Sequence, residues 1–197
     1  MGSLSFSSEE LIQRLNGQDE YSLAHQFGSS ISGYIDAAVL VPFVLVNEEW
    51  HLLYTRRTNS VSDHKGQVSF PGGAREEQDQ NPIDTALRET YEEIGISADK
   101  VTPFSALSSM QTITHYYITP VLAFMKWPVD LRLEESEVER VFTVPIKWLS
   151  DPNNSDERLY EGPGGIRRNV IFYKTYDGET IWGITAAITQ SLIKKIG

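Results

Sequence analysis

The sequence predicts an α/β fold in which helices pack against the faces of a mixed β-sheet. Runs with strand-like patterning dominate both halves of the chain, at residues 37–46, 50–55, 101–107, 112–124 and 138–144. One helical pattern at 82–94 lies between these groups, and a second closes the chain at 185–196. With 197 residues, the chain suits one domain that can bury a sizeable core.

Composition and charge exclude several classes of function. A net charge of −10 argues against electrostatic binding to DNA, RNA or an anionic membrane, which needs clustered cations. A small phosphorylated substrate can still bind through a metal ion. The absence of cysteine excludes disulfides and thiolate chemistry and is compatible with a cytoplasmic protein.

Neither an export signal nor a membrane span is predicted. The first ten residues lack the basic start and apolar run of a signal peptide. The longest apolar stretch, Ala37–Val46, contains Pro42 and is shorter than the roughly 20 residues that cross a bilayer. We therefore interpret it as a buried strand.

The shorter elements are assigned from local signals. Ser8–Leu15 has the acidic first turn and apolar face of a short helix that packs on the domain. Asn47–Glu49 separates two β-like runs and predicts a hairpin. Trp148–Leu149 begins another short element, and Asn153–Gly165 is expected to be a loop. A β-like run at Val170–Tyr176 precedes the terminal helix.

The helix predicted at Pro82–Ile94 has clear boundaries. Asn81 can cap its first turn, and Pro82 fits the first helical position. Gly95 provides the stop.

Three carboxylates on this helix carry the chemical signal. Glu92 and Glu93 lie three and four residues after Glu89, so their carboxylates share one helix face with it. Like charges repel there, and a hard divalent cation would convert them into a ligand set. A solvated acidic surface is the alternative for any one of them. Arg88 is expected to orient the carboxylates rather than bind substrate.

The segment from Gly73 to Ile96 resembles the Nudix box. Gly73, Arg88–Glu89 and Glu92–Ile96 match its pattern. The chain has Asp79 where the box has Glu, eight residues rather than seven before Arg88, and Thr90 at an apolar position. The metal-ligand end of the motif is intact.

A second motif resembles the coenzyme A pyrophosphatase branch of that family. It comprises Leu53–Thr58 and Gly66–Gly73, with Thr58 in place of Ser and Ser62 in place of Arg. Further matches lie at Ile118–Pro120, at Glu137–Val138 and at Ile181–Ala186, so the resemblance covers about residues 37–190.

The resemblance implies an α/β/α sandwich around a mixed sheet, preceded by a helix and connector at 1–34 and occupying 35–197. It implies metal-assisted attack of water on a diphosphate, with Mg²⁺ as the cofactor and Mn²⁺ as a substitute. Glu89, Glu92 and Glu93 are then the metal ligands, and Glu137 ligates metal or orients the water. Glu93→Gln is expected to reduce turnover while leaving the fold nearly intact, because the helix face should be exposed.

Several residues are candidates for substrate contact. Arg56, Arg57 and Lys65 could bind charged groups, while Gly72 and Gly73 could let the backbone approach a phosphate or simply form a turn. His64 and His115 are weaker candidates for substrate contact. Trp182 and Phe70 are expected to pack in the core.

Three functions remain open at this point. The first is hydrolysis of coenzyme A or acyl-coenzyme A to 4′-phosphopantetheine, or its acyl form, and adenosine 3′,5′-bisphosphate. The second is hydrolysis of another nucleoside diphosphate derivative, such as NADH, ADP-ribose or a nucleoside triphosphate. The third is nucleotide binding without turnover. In each case the partner is a small nucleotide, and the chain folds alone or as a homodimer.

Overall fold

A computed structural model describes residues 6–16, 31–58, 66–161, 165 and 167–197. The helices and strands follow in chain order: α1 (Ser8–Asn16), β1 (Ile35–Val46), β2 (Glu49–Arg57), β3 (Val68–Ser69), β4 (Gly72–Ala74), α2 (Pro82–Ile94), β5 (Val101–Ala106), β6 (Met110–Gln111), β7 (Tyr116–Met125), β8 (Val138–Pro145), α3 (Ile146–Leu149), β9 (Ser155–Glu161), β10 (Arg167–Tyr173) and α4 (Gly183–Ile196).

One mixed sheet organises the described part of the chain. Its central path runs β3-β2-β1-β7-β5, with β4 on β1, β6 on β7 and β8 on β2. β1 and β7 are parallel, whereas the other pairings are antiparallel. The predicted α/β class with a mixed sheet is confirmed.

β1 lies at the centre and separates two hydrophobic cores. Because successive strand residues point to opposite faces, Phe43 joins the core with α1 and α4, and Val44 joins the core with α2. Both side chains are fully buried. Helices on both faces of the sheet make the α/β/α sandwich.

The N-terminal helix packs as expected. Ser7 and Glu10 form a capping box in which each side chain accepts a hydrogen bond from the other's backbone N–H. Leu11 and Leu15 are buried, and Arg14 donates to the carbonyl of Ile196 at the end of α4. In the described residues, no helix is long and apolar enough to cross a membrane.

The predicted β1–β2 hairpin is confirmed. Asn47 and Glu48 have φ values of 48° and 63°, the left-handed pair that lets a two-residue turn follow the twist of its strands. The predicted short element at Trp148–Leu149 is the end of α3.

Two boundary predictions were wrong. The strand predicted at 112–124 begins only at Tyr116, because residues 112–115, with His115 at φ 62°, form the turn between β6 and β7. The loop predicted at 153–165 contains β9, which pairs with β10. β9 is mostly exposed and charged, so it lacks the apolar alternation that marks a half-buried strand.

Candidate active site

The helix α2 begins and ends where its sequence signals lie. The side chain of Asn81 accepts hydrogen bonds from the backbone N–H groups of Ile83 and Asp84. Gly95 terminates the helix with φ 75° in the left-handed region. These two caps fix the register that decides where Glu89, Glu92 and Glu93 point.

Arg88, on α2, is the centre of a network of charged side chains. Its guanidinium donates to the carbonyl of Ala74 at 2.9 Å and forms ion pairs with four carboxylates, those of Glu76, Asp79, Glu89 and Glu92. The pKa of Arg88 is raised, chiefly by its hydrogen bonds to Asp79. Arg88 therefore orients carboxylates in this structure, as its spacing to Glu92 suggested.

Asp79 is the buried carboxylate that pairs with Arg88 in this network. Its carboxylate is buried and accepts hydrogen bonds from Arg88, from the Thr85 hydroxyl and from the Glu76 backbone N–H. Burial alone would raise the pKa of Asp79, but these donors hold it below its ordinary value. The sequence marked Asp79 only as a departure from Glu. Its structural role required knowing that Thr85 and Arg88 converge on it.

Glu93 is buried, with 3% of its side chain exposed, so the expectation of an exposed helix face was wrong at this position. Arg57 lies 3.6 Å from Oε1 of this carboxyl group. Oε2 has no hydrogen-bond partner among the described residues. Burial raises the pKa of Glu93 to about 8, with further contributions from the negative charges of Glu89 and Glu137.

Glu89 packs against Gly73 of β4. A Cβ built on Gly73 would lie 2.6 Å from the Glu89 carboxyl carbon, so this residue must be small. Gly72 has φ 151°, and a Cβ there would lie 2.4 Å from the Ala38 carbonyl oxygen. Burial raises the pKa of Glu89, and the hydrogen bond from Arg88 opposes that rise.

A second arginine joins this site from the sheet. Arg57, at the end of β2, lies 3.6 Å from Glu93 and 3.6 Å from Glu137. The β2–β8 register shifts between Arg56 and Arg57, and the Thr58 N–H donates to the Glu137 carbonyl. Such an irregularity redirects side chains at a strand end. It brings Arg57 and Glu137 to the carboxylates of α2.

These residues fit a hard divalent cation. Glu93 presents a buried oxygen that has no partner among the described residues, and Glu89 and Glu137 are near enough to raise its pKa. Carboxylate oxygens are the donors that Mg²⁺ and Mn²⁺ prefer. In the described chain, no three carboxylate or imidazole side chains converge as a ready-formed metal cluster. Instead, guanidinium groups contact these carboxylates, Arg57 at Glu93 and Glu137 and Arg88 at Glu89 and Glu92.

Comparison with known proteins gives the family. The NUDIX domain profile matches residues 36–161, well over half of the chain. The chain belongs to the Nudix family. It is 32% identical over 180 residues to the uncharacterized Nudix hydrolase NudL of Yersinia enterocolitica, covering 87% of this chain and 86% of that protein. NudL of Photorhabdus laumondii is 34% identical over 160 residues, covering 81% and 84%.

Solved structures support the same fold. The Nudix hydrolase RenU of M. smegmatis matches with a TM-score of 0.51 and 22% identity, over 63% of this chain and 78% of RenU. A MutT/nudix family protein of Enterococcus faecalis matches with a TM-score of 0.50 and 16% identity, over 96% and 73%. The relatives identified by sequence make this chain a Nudix hydrolase, and the loop–helix–loop around α2 is its Nudix box.

The other predicted site residues differ in their surroundings. Glu92 of the Nudix box pairs with Arg88, and 54% of its side chain is exposed. Arg56 pairs with Glu139 and Glu179 rather than with the box carboxylates. Lys65, His64 and Ser62 lie outside the described residues.

The three aromatic residues singled out in the sequence each pack against another aromatic ring. His115 lies in the exposed turn before β7, where its ring packs near Tyr34. Phe70 is buried and stacks on Tyr54, as expected for the core. Trp182 is half-buried and stacks on Phe172 at the base of the β9–β10 ribbon.

Sequence reasoning missed Glu179. This buried carboxylate accepts from both Arg56 and Arg140, and so fixes the segment before α4 against β2 and β8. No local pattern marks it, because its partners are 123 and 39 residues away in the chain.

Proposed function

We propose that this Nudix hydrolase cleaves the pyrophosphate linkage of coenzyme A or acyl-coenzyme A. The products are 4′-phosphopantetheine, or its acylated form, and adenosine 3′,5′-bisphosphate. The observation that carries the proposal is the position of Arg57. This residue belongs to the Leu53–Thr58 motif of the coenzyme A branch, and it lies against two carboxylates of the candidate site, Glu93 and Glu137.

In this proposal Glu89, Glu92 and Glu93 hold a divalent cation, with Glu137 as a further ligand or as the group that orients the attacking water. When bound, Mg²⁺ or Mn²⁺ supplies an activated water and neutralises charge on the phosphoryl oxygens. Arg57 provides a fixed positive charge for a phosphate oxygen. Because Gly72 and Gly73 carry no side chains, the backbone of β4 can lie close to the diphosphate.

A groove at Thr58, the residue after Arg57, has room for a long non-nucleotide part of a substrate. It has a volume of about 540 Å³, and its lining is mixed: Leu131, Leu133 and Val138 are apolar, whereas Arg132, Glu135 and Glu139 are charged. Such a lining suits a pantetheine arm, which carries both methylene and amide groups, and the position at Thr58 would let a single substrate span groove and diphosphate site.

A second candidate is a Nudix hydrolase for another nucleoside diphosphate derivative. The observation in its favour is Ser62, which stands where the coenzyme A branch has an arginine. Loss of a cation at that position would weaken recognition of an extra phosphate group on the substrate.

A panel assay separates the two candidates. Purified protein with Mg²⁺ or Mn²⁺ is offered coenzyme A, acetyl-coenzyme A, NADH, ADP-ribose and nucleoside triphosphates, and the products are resolved by mass. Glu93→Gln serves as the control for contaminating activity. Preferential release of adenosine 3′,5′-bisphosphate from coenzyme A supports the first proposal. A higher kcat/KM for another substrate assigns the second, and no turnover contradicts both.

A further inference from the structure

We propose that Arg57 is an internal counter-ion of Glu93 and Glu137 and competes with the divalent cation for these carboxylates. This inference rests on the proposed metal-dependent function. The new element is the order of contacts: Arg57 first pairs with the ligand carboxylates and contacts the substrate once metal has bound.

The contacts of Arg57 identify the competition. One guanidinium nitrogen lies 3.6 Å from Glu93 Oε1 and another lies 3.6 Å from Glu137 Oε2. Both distances are longer than a hydrogen bond, so the guanidinium neutralises the carboxylates without satisfying them fully. A divalent cation brings twice the charge to the same oxygens.

Burial makes this neutralisation necessary. Glu93 is almost completely enclosed, and its Oε2 has no partner in the described chain. The remaining arginine of the site cannot replace Arg57, because Arg88 is already bound to Asp79 and Ala74 and reaches Glu89 and Glu92 instead. Without Arg57, the charged form of this buried carboxyl group would have no cation beside it among the described residues, which makes that form costly.

The Arg57 side chain is also partly open to solvent on the side of the groove. Its side chain is 25% exposed and stands at the end of β2, beside the groove at Thr58. Displacement by the cation would leave the guanidinium free to meet an anionic substrate oxygen. The arginine is therefore available to substrate only after the carboxylates have exchanged it for metal.

Arg57→Gln tests the competition through metal binding itself. Binding of Mn²⁺ to chelator-treated protein is followed by the EPR signal of the free ion, and the melting temperature is measured in EDTA. We expect about tenfold tighter Mn²⁺ binding, because a nearby positive charge has been removed, and a lower melting temperature in EDTA. The kcat/KM for the diphosphate substrate should fall.

Arg56→Gln is the matched control. It removes the same charge one residue away, but Arg56 pairs with Glu139 and Glu179. Its Mn²⁺ affinity should change less than about twofold because solvent and salt screen that more distant charge. Arg57→Lys, which keeps the charge but not the fork, should lie between wild type and Arg57→Gln.

The outcomes separate the inference from the proposed function. If Arg57→Gln binds Mn²⁺ no more tightly than wild type while wild type cleaves a diphosphate with metal, the competition is wrong and the function stands. If wild type neither binds Mn²⁺ nor cleaves any diphosphate, the proposed function is wrong and the inference fails with it. Tighter binding in Arg57→Gln, but not in Arg56→Gln, supports the competition.

Discussion

Individual residues of this Nudix box differ in how deeply the fold encloses them. Glu93 is buried, and in the described part of the chain its Oε2 accepts no hydrogen bond, whereas Glu89 is mostly buried and Glu92 is exposed and pairs with Arg88. A desolvated carboxylate interacts more strongly with a cation than one in water does. The three glutamates therefore should not contribute equally to metal binding.

Glu93→Gln is expected to reduce kcat/KM at least about 100-fold, while Glu92→Gln has a smaller effect. In EDTA the Glu93→Gln protein should be more stable than wild type, by about 1–3 kcal/mol, because the neutral amide avoids the desolvation of a carboxylate and its repulsion by Glu89 and Glu137. Steady-state kinetics and thermal melts measure the two effects. Equal kinetic losses in both variants would contradict the ranking by burial.

His51 gives the fold a pH dependence away from the site. It lies on β2 beside the Thr143 hydroxyl, and burial lowers its pKa from 6.5, with Glu49 opposing the shift. The unfolded chain therefore binds more protons below about pH 6.5. The stability that neutral His51 contributes is present above that pH and is lost as pH falls.

The melting temperature of wild type should thus fall more between pH 7.5 and 5.5 than that of His51→Gln. Parallel slopes for wild type and His51→Gln would show that the buried imidazole does not titrate on unfolding.

At the scale of elements, the site depends on how closely β4 approaches α2. β4 pairs with β1 through Ala38 and Val39, and Gly73 meets Glu89 from that position. The two adjacent glycines are required for different reasons. Gly72 faces backbone atoms of β1, while Gly73 faces the end of a side chain that can move.

Gly73→Ala should lower kcat/KM about 10- to 100-fold with a stability loss under about 1 kcal/mol, because the added methyl group displaces the Glu89 carboxylate rather than the backbone. Gly72→Ala should instead cost more than about 2 kcal/mol, since the methyl group meets the Ala38 carbonyl and φ is unfavourable. Chemical denaturation and kinetics measure the pair.

Gly178→Ala separates strain from collision. Gly178 has φ 82°, but a Cβ there would meet nothing within 4 Å in the described chain. Its cost should be only the roughly 1 kcal/mol of a left-handed alanine, with normal activity. A Gly72→Ala loss no larger than this would remove the argument from close approach.

For the whole molecule, net charge and site charge have the same sign. The chain carries −10, and the box adds several carboxylates that the fold brings together. A divalent cation that binds the folded state but not the unfolded state raises the free energy of unfolding by mass action.

Mg²⁺ at about 100 times its dissociation constant should stabilise wild type by about 2.7 kcal/mol, a rise in melting temperature on the order of 5–10 °C for a chain of this size. Glu93→Gln should lose most of that rise. Glu157→Gln, which removes one exposed charge from β9, should retain it. A similar rise in all three proteins would indicate a general salt effect rather than a site.

Much of this architecture follows from local signals in the sequence. Asn81, Pro82 and Gly95 gave the bounds of α2, since capping depends on residues next to one another in the chain. The spacing of Glu89 and Glu93 indicated a shared helix face for the same reason. β9 was not predicted, because an exposed and charged strand forms by pairing with its partner strand and carries no apolar pattern of its own.

The sequence by itself therefore determined the α/β class, the box helix and its carboxylates, and their resemblance to the Nudix family. Only the tertiary structure decided that Glu93 is buried, that Asp79 anchors Arg88, and that Arg57 rather than Arg56 reaches the carboxylates. Burial and pairing between residues distant in the chain depend on how the sheet and helices pack, and the linear order of residues does not encode those distances locally.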